Sequence, residues 1–117
     1  MTVSARATRH SWEIEPMPER RERIELEQRF SRDEYERLAC GHIPESQDDR
    51  WFVYVDEDDV VHIHRSATGF AIFEIELAHA DDGYWVQAAW ANRDPEQGMD
   101  PAFDSVAGSL LRALAQA

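Results

Sequence analysis

The chain contains no lysine, so its 12 basic residues are all arginines, and they are outnumbered by 24 acidic residues. The formal net charge of -12 at pH 7 repels the phosphates of nucleic acids at long range. Nonspecific nucleic-acid binding depends on neutralising those phosphates with basic side chains. The composition therefore argues against a nucleic-acid partner, although a local arginine cluster can still hold a single phosphate.

The sequence also has a single cysteine, Cys40, and lacks an apolar run of about 18 residues that could cross a membrane. A single cysteine excludes an intramolecular disulfide. The charged-then-apolar pattern of a secretory leader is missing as well. These absences predict a protein without a membrane partner, most simply a cytoplasmic one.

A length of 117 residues is a common size for one domain, and folding at this size buries roughly two thirds of the surface of the unfolded chain. Residues 1–10 carry small polar and arginine side chains without apolar periodicity, which predicts a flexible N-terminal tail. We expect residues 11–117 to form a single α+β domain, because hydrophobic residues make up 43% of the chain and suffice for one core.

A strand and a short helix are predicted next. Apolar residues at every second position indicate a strand over Arg20–Phe30 with one charged face. Ser31 and Glu34 have the spacing of a capping box for a helix that begins at Arg32. Gly41 can end this helix in a left-handed conformation.

The centre of the chain, Arg50–Trp90, alternates apolar runs of strand length with short acidic or glycine-containing turns, which predicts an antiparallel β-meander. The predicted strands are Trp51–Val55, Val60–Arg65, Phe70–Ala78 and Tyr84–Ala91. Asp100 and Pro101 then have the pattern of a helix start, with Phe103 as the first residue of its buried stripe. The predicted fold is an α+β fold with a meander of four to five strands, a short helix before it and a C-terminal helix packed on one face.

The register of the first hairpin decides which side chains share a face of this sheet. With a three-residue loop, the valine-rich positions share one side and the aromatic and histidine positions share the other. The second side then carries Phe52, Tyr54, His62 and His64, and the third strand adds Phe70 and Ile72. An apolar patch that no helix covers is typical of an interface. We therefore predict a small non-enzymatic partner-binding or regulatory module, with a homodimer as one form of that partner.

The turn after the second strand contains the densest group of side chains of catalytic type: His64, Arg65, Ser66, Thr68 and Gly69. An arginine fork, two hydroxyls and a glycine N–H can form an anion pocket, to which Tyr54 and Arg93 are further candidates. The alternative is structural, since hydroxyls in tight turns commonly bond to the backbone. Catalysis by Ser66 would need His64 as its base, a geometry that the sequence does not guarantee. Enzyme activity therefore stays open.

His62 and His64 lie two positions apart on one strand, at roughly 7 Å from each other. This spacing can chelate a divalent metal if Glu74 or Glu76 supplies a third ligand. Two histidines without a further ligand at fixed spacing are a weak signal, so we predict neither a metal nor another cofactor.

The chain resembles a family of small, mostly uncharacterised bacterial proteins through four motifs in the same order. They are Ile43-Pro44-Glu45, Asp48-Asp49-Arg50-Trp51-Phe52-Val53-Tyr54, His64-Arg65-Ser66-Ala67-Thr68-Gly69 and Asn92-Arg93-Asp94-Pro95-Glu96-Gln97. Members look to occur alone and beside ADP-ribose-processing domains. The resemblance therefore implies a phosphate-bearing small molecule of the nucleotide type, bound or processed at the His64-Arg65-Ser66 turn. At Ala67 the family pattern has an aromatic residue, so any ligand stacked on that ring would lose the contact here.

Overall fold

The structure is a computed structural model of the chain and describes residues 6–98 and 100–116. Its elements are β1 (Arg21–Ile24), β2 (Arg29–Phe30), α1 (Arg32–Ala39), β3 (Trp51–Val55), β4 (Val60–Arg65), β5 (Ala71–Ala80), β6 (Gly83–Asn92), a 3₁₀ turn (Pro101–Phe103) and α2 (Ser105–Ala115). The predicted α+β fold is confirmed. No helix in these two ranges is long and apolar enough to cross a membrane.

All of the strands belong to one antiparallel sheet with the order β1-β6-β5-β4-β3, in which β2 also pairs with β6. The strand predicted over Arg20–Phe30 is correct only at its two ends, because residues 25–28 lie outside the ladder. The interruption lies opposite a bulge in β6. There Glu76 pairs with Ala88 and Leu77 with Val86, which leaves Gln87 as an extra residue. A bulge disrupts the ladder locally, so a neighbouring strand cannot pair past it without a break.

The β3–β4 hairpin has the predicted register. Phe52 pairs with His64, and Tyr54 pairs with His62. The N–H of Asp56 donates to the carbonyl of Val60, so residues 57–59 form the loop. The last of these has a φ of 60°, the left-handed conformation that commonly ends a three-residue hairpin loop.

The two helices pack over a core on one face of the sheet, here called the helix side. Its largest fully buried members are Phe73, Leu38, Ile63, Ile72, Ile75, Leu111, Val53 and Val61. The predicted capping box is present, since Ser31 accepts from the N–H of Glu34 and the Glu34 carboxylate accepts from the N–H of Ser31. Asp100 caps Ala102, but the chain forms the 3₁₀ turn before α2 begins at Ser105.

The other face of the sheet is covered by residues 6–15, which we call the strap. Ala7 is 1% exposed, and its N–H donates to the carbonyl of Cys40 at 2.9 Å. Farther along, the indole N–H of Trp12 donates to the carbonyl of Ser66 at 2.9 Å. Within the tail predicted over residues 1–10, apolar contacts and backbone bonds therefore attach the chain to the sheet from Ala7 onward; residues 1–5 lie outside the described ranges.

The strap covers part of the apolar patch that the sequence predicted to be exposed on this face. Phe52 is 0% exposed and Tyr54 is 8% exposed, and both cluster with residues of the strap. Ile72 is in the helix-side core instead, because β5 has a bulge: Ile63 pairs with Phe73 and His64 with Ala71, leaving Ile72 as the extra residue. Phe70 also packs against the helix-side core. The prediction of an exposed apolar patch was therefore wrong, because Phe52 and Tyr54 are buried beneath the strap while Phe70 and Ile72 pack in the helix-side core.

We predict that Gly41→Ala lowers the free energy of unfolding by more than about 1 kcal/mol, because a residue with a side chain is strained in a left-handed conformation. Gly41 has a φ of 72°, and an added Cβ would lie 2.3 Å from the carbonyl oxygen of Val53 and 2.8 Å from the Cβ of Ala7. Urea denaturation measures the change. The control, Ser109→Ala on the exposed side of α2, should alter the value by less than about 0.5 kcal/mol. Equal stability of the Gly41 variant and the wild type would contradict this packing.

Candidate functional site

The side chains of the predicted anion pocket do not converge. His64 lies beneath the strap and is 2% exposed. Arg65 follows it on the same strand and therefore lies on the opposite side of the sheet. There its guanidinium carbon is 5.6 Å from the centre of the Trp51 ring.

The polar groups of the turn itself are engaged with the backbone. Ser66 Oγ donates to the carbonyl of Asp49 at 2.6 Å, and the N–H of Gly69 donates to the carbonyl of Arg65 at 2.8 Å. Thr68 Oγ1 accepts from the N–H two residues later at 3.2 Å. These contacts match the structural alternative for hydroxyls and glycine in a tight turn. The Ser66 hydroxyl and the Gly69 N–H are therefore not free to donate to an anion.

Arg93, the remaining basic candidate, joins separate parts of the chain. Its guanidinium lies 2.7 Å from a carboxylate oxygen of Asp104 and 3.1 Å from one of Glu22. The hydrogen bond with Asp104, followed by that with Glu22, raises the pKa of Arg93. Because two carboxylates already neutralise it, Arg93 ties the start of α2 to β1 and is poorly placed for a ligand.

His62 lies between two carboxylates on the strap side. Its Nε2 is 2.8 Å from Asp56 Oδ2 and its Nδ1 is 3.3 Å from Glu74 Oε2, while its ring stacks on Tyr54 at 4.5 Å. Burial by itself lowers the pKa of His62, but the hydrogen bonds with Glu74 and Asp56 outweigh it and raise the pKa above the usual value. The pKa of Glu74 is lowered in turn, chiefly by its hydrogen bond with His62. A protonated imidazole is therefore favoured here.

His64 has the opposite environment although it lies on the same strand. Its Nδ1 bonds to the carbonyl of Gly69 at 2.9 Å, so this nitrogen carries the proton. Its Nε2 is buried and has no hydrogen-bond partner among the described residues. Burial lowers the pKa of His64, against the opposing effect of the bond to Gly69. A neutral imidazole is therefore favoured.

The metal-binding alternative for the pair gains no geometric support. The ring centres of His62 and His64 are 6.4 Å apart. Both nitrogens of His62 contact carboxylates, and Nδ1 of His64 contacts a carbonyl. Across residues 6–98 and 100–116, no group of three or more His, Cys, Asp or Glu side chains is arranged to hold a metal ion.

A groove on the helix side has a different composition. Its volume is about 600 Å³, and it is lined by Arg50, Trp51, Arg65, Gly98, Asp100, Phe103 and Val106. We call it the arginine groove. Phe103 is 51% exposed, although the periodicity of the C-terminal region placed it in the buried stripe. Two arginines and two aromatic residues therefore line one concave surface.

The arginines of this groove differ from the paired arginines of the chain. In the part of the chain that the structure describes, the arginines that form ion pairs are Arg21, Arg93 and Arg112. A second groove, of about 620 Å³, also has arginines in its lining, but there Arg112 is 3.2 Å from a carboxylate oxygen of Glu34. The arginine groove therefore keeps more uncompensated positive charge.

Comparison of the chain with protein-family models, with curated proteins and with solved structures finds no match in any of the three. The resemblance to the bacterial family, and the nucleotide-linked biology that it implies, remain predictions. A functional assignment therefore depends on the chemistry of the described residues.

We predict that His62→Gln and His64→Gln change the pH dependence of stability in opposite directions. The folded pKa of His62 is raised above 6.5, so its stabilisation is complete below that pH and is lost as pH rises through the folded pKa. The folded pKa of His64 is lowered, so stability is lost as pH falls from 6.5 toward that pKa.

Urea denaturation between about pH 5 and about pH 8 measures both effects. His62→Gln should remove the decrease in the free energy of unfolding that the wild type shows above pH 6.5. His64→Gln should remove the decrease that the wild type shows below pH 6.5. Ser109→Ala, which alters no titratable group, serves as the control and should keep the wild-type profile. Identical dependence of stability on pH in His62→Gln and His64→Gln would contradict the assigned environments.

Proposed function

We propose that the protein is a ligand-binding module and that its ligand carries a phosphate, which binds Arg50 and Arg65 in the arginine groove. The observation that carries the proposal is that Arg50 and Arg65 line one concave surface and that neither forms an ion pair with a carboxylate of the described residues. Carboxylates are twice as numerous as basic groups in this chain, which has 24 of the former and 12 of the latter. An anion from solution supplies the missing countercharge.

The contact of Arg65 with the face of Trp51 supports this role. The guanidinium group of Arg65 lies over the Trp51 ring with its carbon 5.6 Å from the ring centre, within the distance of a cation–π contact. Its N–H groups point outward from its edge and can form two parallel hydrogen bonds with a phosphate. Less side-chain freedom is then lost on binding than with an unsupported arginine.

Binding without chemistry fits the state of the residues considered for catalysis. Ser66 Oγ donates to the carbonyl of Asp49, and the Nδ1 of His64 bonds to the carbonyl of Gly69. A serine nucleophile would instead need a hydrogen bond to its base. The homodimer through Phe52 and Tyr54 is not part of the proposal, because both side chains are buried beneath the strap.

We predict that the double variant Arg50→Gln/Arg65→Gln binds pyrophosphate at least about a hundredfold more weakly than the wild type. We expect each arginine to contribute about tenfold to the affinity for pyrophosphate, because a hydrogen bond to a charged group contributes about 1.5 kcal/mol or more. Titration calorimetry at fixed ionic strength measures the affinity, and the shift of the melting temperature with pyrophosphate gives an independent reading.

The matched control is Arg20→Gln/Arg32→Gln, which removes the same amount of charge from exposed positions outside the groove. It should bind pyrophosphate nearly as well as the wild type. An equal loss in both double variants would show a general effect of net charge, and unchanged affinity in the groove variant would show that the arginines do not bind the anion. Either result refutes the proposal.

A further inference from the structure

We propose that the ligand of the arginine groove is a mononucleotide, whose base stacks on Phe103 while its phosphate binds the two arginines. This inference rests on the proposed function and adds the chemical class of the ligand. Its starting point is that Phe103 is 51% exposed, whereas the other large apolar side chains of the described residues are buried or half-buried. An exposed aromatic ring next to cationic groups is a feature of surfaces that bind nucleotides by stacking.

Phe103 is held in place before any ligand arrives. It ends the 3₁₀ turn, its N–H donates to the carbonyl of Asp100 at 2.9 Å, and the turn is capped by the Asp100 side chain. The other ring of the groove, Trp51, already has the guanidinium of Arg65 near its face. The ring with free surface is therefore that of Phe103, and its backbone is fixed by the turn.

The one carboxylate of the groove distinguishes a nucleotide from a simpler phosphate. Asp100 Oδ1 accepts from the N–H of Ala102 at 2.8 Å, which leaves acceptor capacity on the carboxylate. An acceptor beside two cationic donors suits a ligand that also has donors of its own, such as ribose hydroxyls or an amino group of a base.

The size of the groove indicates a small ligand. Its volume of about 600 Å³ is within the range of roughly 300–1,000 Å³ that is usual for small-molecule sites. A nucleic-acid strand would bring many phosphates toward a chain with a net charge of -12, so the long-range repulsion would oppose it. A free mononucleotide brings only one phosphate.

The test compares AMP with ribose 5-phosphate by titration calorimetry. Both ligands have the phosphate and the ribose, and only AMP has a base. We expect AMP to bind at least about fivefold more tightly, the lower end of what stacking of one base on an aromatic ring provides. Phe103→Ala should abolish this preference and leave the affinity for ribose 5-phosphate unchanged. Phe103→Tyr, which keeps a ring, should retain the preference.

Four results would overturn the inference: equal affinity of the wild type for both ligands, no binding of either, an AMP preference that persists in Phe103→Ala, or binding of phenyl phosphate as tight as that of AMP. The last would assign the groove to an aryl phosphate. Phe103 is exposed, so its variants should fold, and circular dichroism checks this. Binding of pyrophosphate through Arg50 and Arg65 would still stand in each case, so failure of this inference can be told apart from failure of the proposed function.

Discussion

The pairing of β3 with β4 is the constraint on which the rest of the structure depends. Side chains alternate across a strand, so a slip of one residue would exchange every side chain of the hairpin between the two faces. The observed register places the Phe52–His64 pair under the strap and the Trp51–Arg65 pair on the helix side. One set of backbone hydrogen bonds thus places His62 and His64 on the strap side and Trp51 and Arg65 in the arginine groove.

The parts of this arrangement that could be predicted depend on neighbours in sequence. The hairpin register, the capping box of α1 and the strand order of the meander follow from alternation and turn chemistry over a few residues. The strap could not be predicted in this way, because residues 6–10 have no apolar period and the alternation of Trp12 and Ile14 is too short to indicate which surface it covers. Their attachment depends on single contacts, such as that of Ala7 with Cys40, between positions far apart in the chain. The β5 bulge, which moves Ile72 to the helix side, likewise leaves no pattern in the sequence.

In the candidate site, too, some features follow from the local sequence and others depend on contacts between distant residues. The Trp51–Arg65 pair follows from the hairpin register, so the sequence contained the signal for one wall of the groove. The opposite wall depends on Phe103, for which helical periodicity predicted burial. The chain forms a 3₁₀ turn there, and three residues per turn rotate a side chain away from the stripe expected with 3.6. The pairing of Arg93 with Glu22 joins distant residues and has no local signal.

The distribution of charge explains why the groove stands out. The chain has twice as many acidic as basic residues, and pairs such as Arg21–Glu74 and Arg112–Glu34 form where strands and helices bring opposite charges together. Arg21, Arg112 and Arg65 each lie near the face of an aromatic ring, but Arg65 forms no ion pair among the described residues. A ring satisfies neither the charge nor the N–H groups of an arginine in the way that a carboxylate does. Within the groove, the carboxylate of Asp100 therefore offsets only part of the charge of Arg50 and Arg65, and solvent and ions balance the rest until an anionic ligand replaces them.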